Sequence, residues 1–459
     1  MGFAFVVILA VLVIFGWEAS QRGLGAAATS SFWVLTWFFL LSYPVKLILI
    51  EIGIPYVAPS EVTSTETMRA LAVAMAFWMI VLLGRELTGR GLWTRHRKEL
   101  VAGGTYEVTG RGAVRLADLY AVLLIGVSAW SLFKLMERTG FRLQPAFYGN
   151  AQNEARVGSG HVFFLYSLYL KAFLVYLFAV REKRLPVVAV TMAVGGLAVL
   201  EMVLLSTRRP LYLVVYAFLL WCVIEGSRKR VAVAMLALMP IVAAAAAPVG
   251  QLLRYHLDEL VEREMPIDLD WNYSLTIVGS TFEGIEHLSV FLRRITAEQW
   301  FLGVDSGSAW VFNLGLALVP RVLWEGKPYL YGSVAEQWFL YPSHYEGGVA
   351  QTTLPPGLVV DALFGAGVAG FAGMALILGR LMAWVDQTLF EQGRYANPLA
   401  KVVAAGLYIH LFNVVRGGTA AGMMVLVLII MAAPVLRTTR RQYKVVGAGR
   451  SYGNSMRKQ

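Results

Sequence analysis

Apolar residues fall into a series of blocks of about 20 residues, which short polar or charged connections separate along the chain. A helix rises about 1.5 Å per residue, so a block of this length matches the hydrocarbon layer of a membrane. The pattern predicts an all-α polytopic membrane protein with about 11 transmembrane helices. The predicted spans are 3–17, 31–50, 67–84, 116–136, 161–180, 186–206, 211–225, 231–250, 356–379, 401–416 and 419–436.

The composition agrees with this reading. Hydrophobic residues make up 58% of the chain, charged residues only 15%, and the mean hydropathy is +0.61. That is more apolar surface than a soluble core of 459 residues needs. Cys222 is the single cysteine, so an intrachain disulfide and a thiolate metal site are excluded. No repeat or low-complexity linker divides the sequence, and we interpret residues 1–459 as a single membrane domain.

Basic residues cluster in alternate connections, which the positive-inside rule assigns to the cytoplasm. This topology places the N-terminus outside and the C-terminus in the cytoplasm. The net charge of +11 then reflects topology and attraction to anionic lipid headgroups, and no nucleic-acid partner is expected. The clusters are Arg85, Arg90, Arg95, Arg97, Lys98, Arg111 and Arg115; Arg181, Lys183 and Arg184; Arg228, Lys229 and Arg230; and the basic residues around Arg380 and Arg437.

The longest non-spanning stretch, 251–355, falls outside in this topology and is predicted to be an extracytoplasmic loop. Six basic residues lie at outer membrane boundaries, where positive charge is disfavoured. The planar fork of arginine matches phosphate oxygens, so the set suits a diphosphate held at this face. The alternative is that these side chains snorkel to headgroups or pair with carboxylates. The six are Arg208, Arg209, Arg254, Arg321, Lys327 and Arg416.

Residues 409–418 add a helix-face argument. His410, Asn413 and Arg416 follow one another at intervals of three, so on a helix they share one face. We therefore expect His410 and Asn413 to support Arg416 from the same side of the span.

Candidate proton acceptors lie in the outer loop. In the segment STFEGIEHLSVFL, Glu286 and His287 are neighbours and Glu283 lies one helical turn earlier, where it could orient them. His344 is a further candidate. The alternative for Glu286 is a structural pair with Arg293, Arg294 or another loop arginine.

The sequence lacks the motifs of several common kinds of enzyme and transport chemistry. Nothing matches a Walker loop, a strand-anchored GxGxxG, HExxH, CxxC or a nucleophile elbow. Asp268 and Asp270 form an acid-x-acid pair, but three-residue patterns arise often by chance. We expect no metal and no cofactor.

Four segments together resemble the Wzy-type polysaccharide polymerases, the family of the O-antigen and enterobacterial common antigen polymerases. The segments are LSTRRPLYLVVYAFLL, VPRVLWEGKPYLYGSVAEQWF, SHYEGG and IHLFNVVRGG, which follow in this order between about 200 and 430. They share an arginine that opens a helix after Ser/Thr, a Pro-x-x-Leu-Trp-x-Gly-basic-Pro turn, and an arginine at a helix end in an Asn-x-x-Arg context.

The resemblance implies a fold similar to the C-type glycosyltransferases and a reaction outside the bacterial cytoplasmic membrane. Members polymerise undecaprenyl-diphosphate-linked oligosaccharide repeat units, with a flippase and a chain-length regulator as pathway partners. By motif, Arg208, Arg254, Lys327 and Arg416 would face the diphosphates and Glu286 would match an acidic loop position. Arg209 and Arg321 depart from the pattern. The rivals are an O-antigen ligase, a lipid or oligosaccharide transporter, and a non-catalytic scaffold of an assembly complex.

Overall fold

Helices account for every regular element that the structure, a computed structural model, describes. No strand occurs among these residues, so the all-α class is confirmed for this part of the chain. The described residues are 2–52, 63–90, 111–138, 165, 168–179, 185–205, 209–225, 230–238, 284–305, 339–342, 357–392 and 396–417.

Four described helices are long and apolar enough to cross a membrane. They are α1 (Gly2–Arg22), α3 (Ser31–Glu51), α4 (Ser64–Arg90) and α11 (Leu358–Glu391). The other helices used below are α2 (Leu24–Thr29), α5 (Arg111–Arg138), α6 (Leu168–Phe178), α7 (Val187–Leu205), α8 (Arg209–Ile224), α9 (Gly284–Arg294), α10 (Ala297–Leu302), α12 (Pro398–Ile409) and α13 (Leu411–Gly417).

The predicted count of about 11 spans stays a prediction. The apolar helices α6, α7, α8 and α12 overlap four more predicted spans, and α5 overlaps a fifth. The predicted span 419–436 and most of 231–250 lie outside the described residues.

Helix α3 lies at the centre of the bundle and α1 at its edge. In the most apolar window of α3, 67% of residues are buried, against 22% in α1. The outward side chains of α1 include Phe5, Val6 and Val13, an apolar surface that lipid would cover. Pro44 lies in a π-helical turn, Leu41–Val45, because proline has no N–H and displaces the carbonyl one turn earlier.

Two glycines allow α4 and α11 to cross at close range. A Cβ on Gly379 would overlap the carbonyl oxygen of Val81 and lie 2.8 Å from the backbone N of Arg85. A Cβ on Gly84 would lie 2.6 Å from the carbonyl oxygen of Leu376. The two backbones touch only because both side chains are absent, as at small-residue crossings of membrane helices.

Helix α11 is broken at Ala366 and Gly367, where the backbone leaves helical geometry. The segment after α10 fills this break, because the backbone N–H groups of Val304 and Asp305 donate to the Phe364 carbonyl oxygen at 2.8 and 3.1 Å. Gly367 has a φ of 56°, and a Cβ there would meet Phe301 backbone atoms. The break therefore anchors α10 and, through it, the preceding α9.

Charged pairs join the helix ends at both sides of the bundle. Arg85 in α4 pairs with Glu18 in α1, and Lys401 in α12 lies 2.9 Å from Glu225, just after α8. Toward the opposite ends, Lys46 in α3 contacts Glu286 in α9. These contacts fit the alternation of helix direction that the charge pattern predicts. Assignment of either side to the cytoplasm rests on that pattern alone.

Candidate functional site

Four chain segments meet around Gly357, immediately before α11. Gly357 has a φ of 91°, which favours glycine, and a Cβ there would lie 3.6 Å from the Tyr43 hydroxyl oxygen. The same point is 3.7 Å from the Cα of Gly284 and 3.8 Å from the carbonyl oxygen of Val415. We call this meeting point of α3, α9, α11 and α13 the Gly357 junction.

A buried ion pair lies beside this junction. The Lys46 ammonium is 3.0 Å from Oε1 of Glu286, and the two side chains are 5% and 1% exposed. Lys46 follows Tyr43 by one turn of α3, while Glu286 lies two residues after Gly284. The pair therefore joins a long apolar helix to a segment that the sequence analysis placed in the outer loop.

Among the described residues, the two arginines of α9 make contacts away from Glu286. Arg293 has its Nε 4.0 Å from Oε1 of Glu66, and Arg294 donates to the carbonyl oxygen of Phe339 at 3.4 Å. Both arginines end α9, whereas Glu286 lies in its first turn. The opposite ends of the helix thus face different surroundings.

His287 forms a second polar contact on α9. Its Nδ1 lies 2.7 Å from the hydroxyl oxygen of Tyr341, and the tautomer of His287 decides which group donates. The imidazole is 1% exposed and packs edge-on against the Tyr341 ring. His287 is therefore held in a fixed orientation, as a proton carrier or a positioning group needs to be.

Helix α9 can hold these polar groups inside the bundle because apolar residues recur at helical spacing next to them. Ile285, Leu288 and Phe291 are fully buried and pack into the hydrophobic core. Their intervals of three place them on one helix face. Burial of that face holds Glu286 and His287 inside the bundle.

Arg416 directly follows Val415 and so belongs, by its position in the chain, to the Gly357 junction. Asn413 lies with it in α13. The predicted continuous helix face is interrupted, however, because His410 ends α12 at φ −98° and ψ 6°. The chain still continues through a bond from the Val414 N–H to the His410 carbonyl at 2.9 Å.

The remaining predicted site residues are placed only in part. Arg209 begins α8, with Pro210 in the first turn. The others lie outside the described residues: Arg208, Arg254, Glu283, Arg321, Lys327 and His344.

Two charged residues near the junction were missed by the sequence analysis. Lys46 is 4% exposed as a whole residue, and Asp361, one turn after Gly357, is 3% exposed. Each is a lone charge inside a block that was assigned as an apolar span. Ionisable residues within membrane segments are rare and usually functional, and that signal would have found both.

A small apolar cavity adjoins the junction on the side toward the middle of α3 and α4. Tyr43 and Val415 line it together with aromatic and aliphatic side chains, including Phe39, Phe77 and Trp78. Its lining is almost entirely apolar.

Metal chemistry has no visible support in this part of the chain. Among the described residues, no group of three or more His, Cys, Asp or Glu side chains could hold a metal ion. The acid-x-acid pair at Asp268 and Asp270 lies outside them.

Comparison with known proteins found no matching family model, no matching curated protein and no matching solved structure.

Proposed function

We propose that this chain is a glycosyltransferase that polymerises undecaprenyl-diphosphate-linked oligosaccharide repeat units into O-antigen or a related surface polysaccharide. It would act on the outer face of a bacterial cytoplasmic membrane, with its N-terminus outside and its C-terminus inside. The resemblance of four sequence segments to the Wzy-type polymerases supplies the reaction. The structural observation that best supports the proposal is the buried Lys46–Glu286 pair. It lies beside the Gly357 junction, which also includes the backbone of Val415, the residue before Arg416.

The reaction needs two kinds of group. A base takes the proton of the acceptor hydroxyl while its oxygen bonds to the anomeric carbon of the donor sugar. The bond from that carbon to the diphosphate oxygen breaks, and its electron pair leaves with the diphosphate, which cations stabilise. Glu286 is the proposed base, with His287 and His344 as the alternatives. Arg416 and the loop cations Arg208, Arg254 and Lys327 are the proposed diphosphate ligands.

The direct test is a polymerisation assay. The purified protein, incubated in lipid vesicles with a lipid-linked repeat unit, should yield a ladder of products spaced by one repeat. A single transfer to lipid A core would identify a ligase instead. Absence of any glycosidic bond formation with either acceptor would contradict the proposal.

One observation favours a second candidate, a transporter of lipids or oligosaccharides. Transporters often bind substrate where helices are broken, and α11 is broken at Ala366 and Gly367. Here the backbone of 301–305 fills the break. The same vesicles separate the two functions, because a transporter would move the lipid-linked unit across the bilayer without lengthening it.

A further inference from the structure

Lys46 lies inside an apolar helix, five residues before its end, which corresponds to about 7 Å along the axis. Its ammonium contacts Glu286 in a setting from which water is largely excluded. Taking both charges out of water usually costs more free energy than their attraction returns. Such a pair contributes little to the stability of the fold. A ligand that takes the place of one partner gains the electrostatic attraction of the other.

The position of Lys46 also suits an anionic ligand. Tyr43, one turn earlier, packs against Gly284 and lies close to Gly357, and Val415 approaches the same point. Lysine ends in a compact charge on a flexible four-carbon stem, so its ammonium can change partner without backbone movement.

We propose that Lys46 is a ligand for the donor diphosphate and that its pair with Glu286 is exchangeable. Diphosphate binding draws the ammonium from the carboxylate to a phosphate oxygen, with no covalent bond formed or broken. Glu286, no longer neutralised by the Lys46 ammonium, then accepts the proton of the acceptor hydroxyl. The inference rests on the proposed function and adds coupling between the two substrates, since the base is released only when the donor is in place.

Exchange predicts opposite effects for the two partners. Lys46→Gln removes a charged ligand and should weaken diphosphate binding about tenfold. Glu286→Gln removes the carboxylate that competes with the diphosphate for the Lys46 ammonium, and should strengthen the same binding roughly fivefold. The double variant should bind as weakly as Lys46→Gln alone.

The chain contains a matched control at its other side. Lys401 and Glu225 form a second lysine–glutamate pair, 2.9 Å apart, with side chains 5% and 9% exposed. Lys401→Gln and Glu225→Gln make the same chemical changes away from the Gly357 junction. Neither should alter diphosphate affinity.

The experiment is isothermal titration calorimetry of the full chain in lipid nanodiscs with farnesyl diphosphate, using empty nanodiscs as the blank. Inorganic pyrophosphate is titrated in parallel. Both probes should show the opposite shifts, and tighter binding of the prenyl compound supports a lipid carrier as the source. Equal binding of the two would support the exchange while contradicting a lipid donor.

Three results would overturn the exchange. In the first, Glu286→Gln leaves the affinity unchanged or weakens it. In the second, Lys46→Gln binds like the unmodified protein. In the third, Glu286→Gln fails to fold while Glu225→Gln folds, which would make the pair structural. Failure of the proposed function looks different, because the opposite affinity shifts would then appear without any polymer ladder.

Discussion

Two buried clusters of charge, one at each side of the bundle, hold their carboxylates in different ways. At one side, Glu18 accepts from both terminal nitrogens of Arg85, from the Trp33 indole at 2.8 Å, and lies 3.3 Å from Arg22. At the other, Oε1 of Glu286 lies 3.0 Å from the ammonium of Lys46. We refer to Glu18, Arg22, Trp33 and Arg85 as the Glu18 cluster.

The difference lies in geometry more than in burial. A guanidinium that grips both carboxylate oxygens fixes the orientation of its partner, and Arg85 also lies 4.6 Å from the centre of the Phe32 ring. An ammonium makes a point contact that can be replaced. The Glu18 cluster is therefore built to fix α1, α3 and α4 together, whereas the Lys46–Glu286 pair can change partners.

The largest expected effect separates Glu286 from Glu225, the carboxylate of the second buried lysine–glutamate pair, by activity. Glu286→Gln keeps the size of the side chain but cannot take a proton, so polymer formation should fall about 100- to 10,000-fold. Glu225→Gln should retain activity per folded molecule. Product ladders measured at equal amounts of folded protein make the comparison. Normal ladders from Glu286→Gln would move the base to His287 or His344.

The next prediction concerns the Glu18 cluster, where we expect an effect on stability and none on activity. Arg85→Met leaves the Glu18 carboxylate buried without its main partner, which should cost about 3–5 kcal/mol of folding free energy. A lower melting temperature and yield should accompany unchanged activity per folded molecule. The double variant Glu18→Gln/Arg85→Met should recover much of the loss. If Arg85→Met abolishes activity in a fully stable protein, the Glu18 cluster has a functional part that its geometry does not reveal.

The sequence predicted the long helices well where apolar residues alone decide them. The predicted spans 3–17, 31–50 and 67–84 lie within α1, α3 and α4. Helix α11 extends well past its predicted end at 379, through Arg380 to Glu391, and in this extension Asp386 accepts a hydrogen bond from the backbone N–H of Ser31. The prediction ended this span before Arg380, and a contact with a distant segment such as Ser31 cannot be seen in a hydropathy pattern.

The candidate site was predicted in part for the same reason. Glu286 and His287 stood out because they are polar residues among apolar ones in a short segment. Lys46 was missed because it is a single charge in an otherwise apolar block and its partner, Glu286, is distant in the sequence. The break at Gly367 was also missed, because a glycine in a helical block looks tolerable until Phe301 packs against it.

A smaller effect tests whether the α4–α11 crossing near the Glu18 cluster is as rigid as it looks. Gly379→Ala places a methyl group against the Val81 carbonyl and should destabilise the protein by about 1–3 kcal/mol. Gly373→Ala, in the same helix, meets nothing within 4 Å and should be neutral or slightly stabilising. Thermal unfolding of both variants measures the difference. Equal melting temperatures would mean that the two helices separate easily at this crossing.

The smallest expected effect distinguishes a positioning role for His287 from a catalytic one. Tyr341→Phe removes the hydroxyl that lies 2.7 Å from Nδ1 of His287, a bond worth about 1 kcal/mol. If His287 only helps to position α9, the rate of polymerisation should fall roughly fivefold, with the apparent affinity for donor unchanged. Tyr176→Phe is the matched control, because the Tyr176 hydroxyl donates to the Leu185 carbonyl oxygen at the same distance of 2.7 Å, far from the Gly357 junction. That variant should change stability and leave the rate per folded molecule intact. A loss in Tyr341→Phe as large as that in Glu286→Gln would instead assign the proton transfer to His287 and leave Glu286 as the partner that releases Lys46.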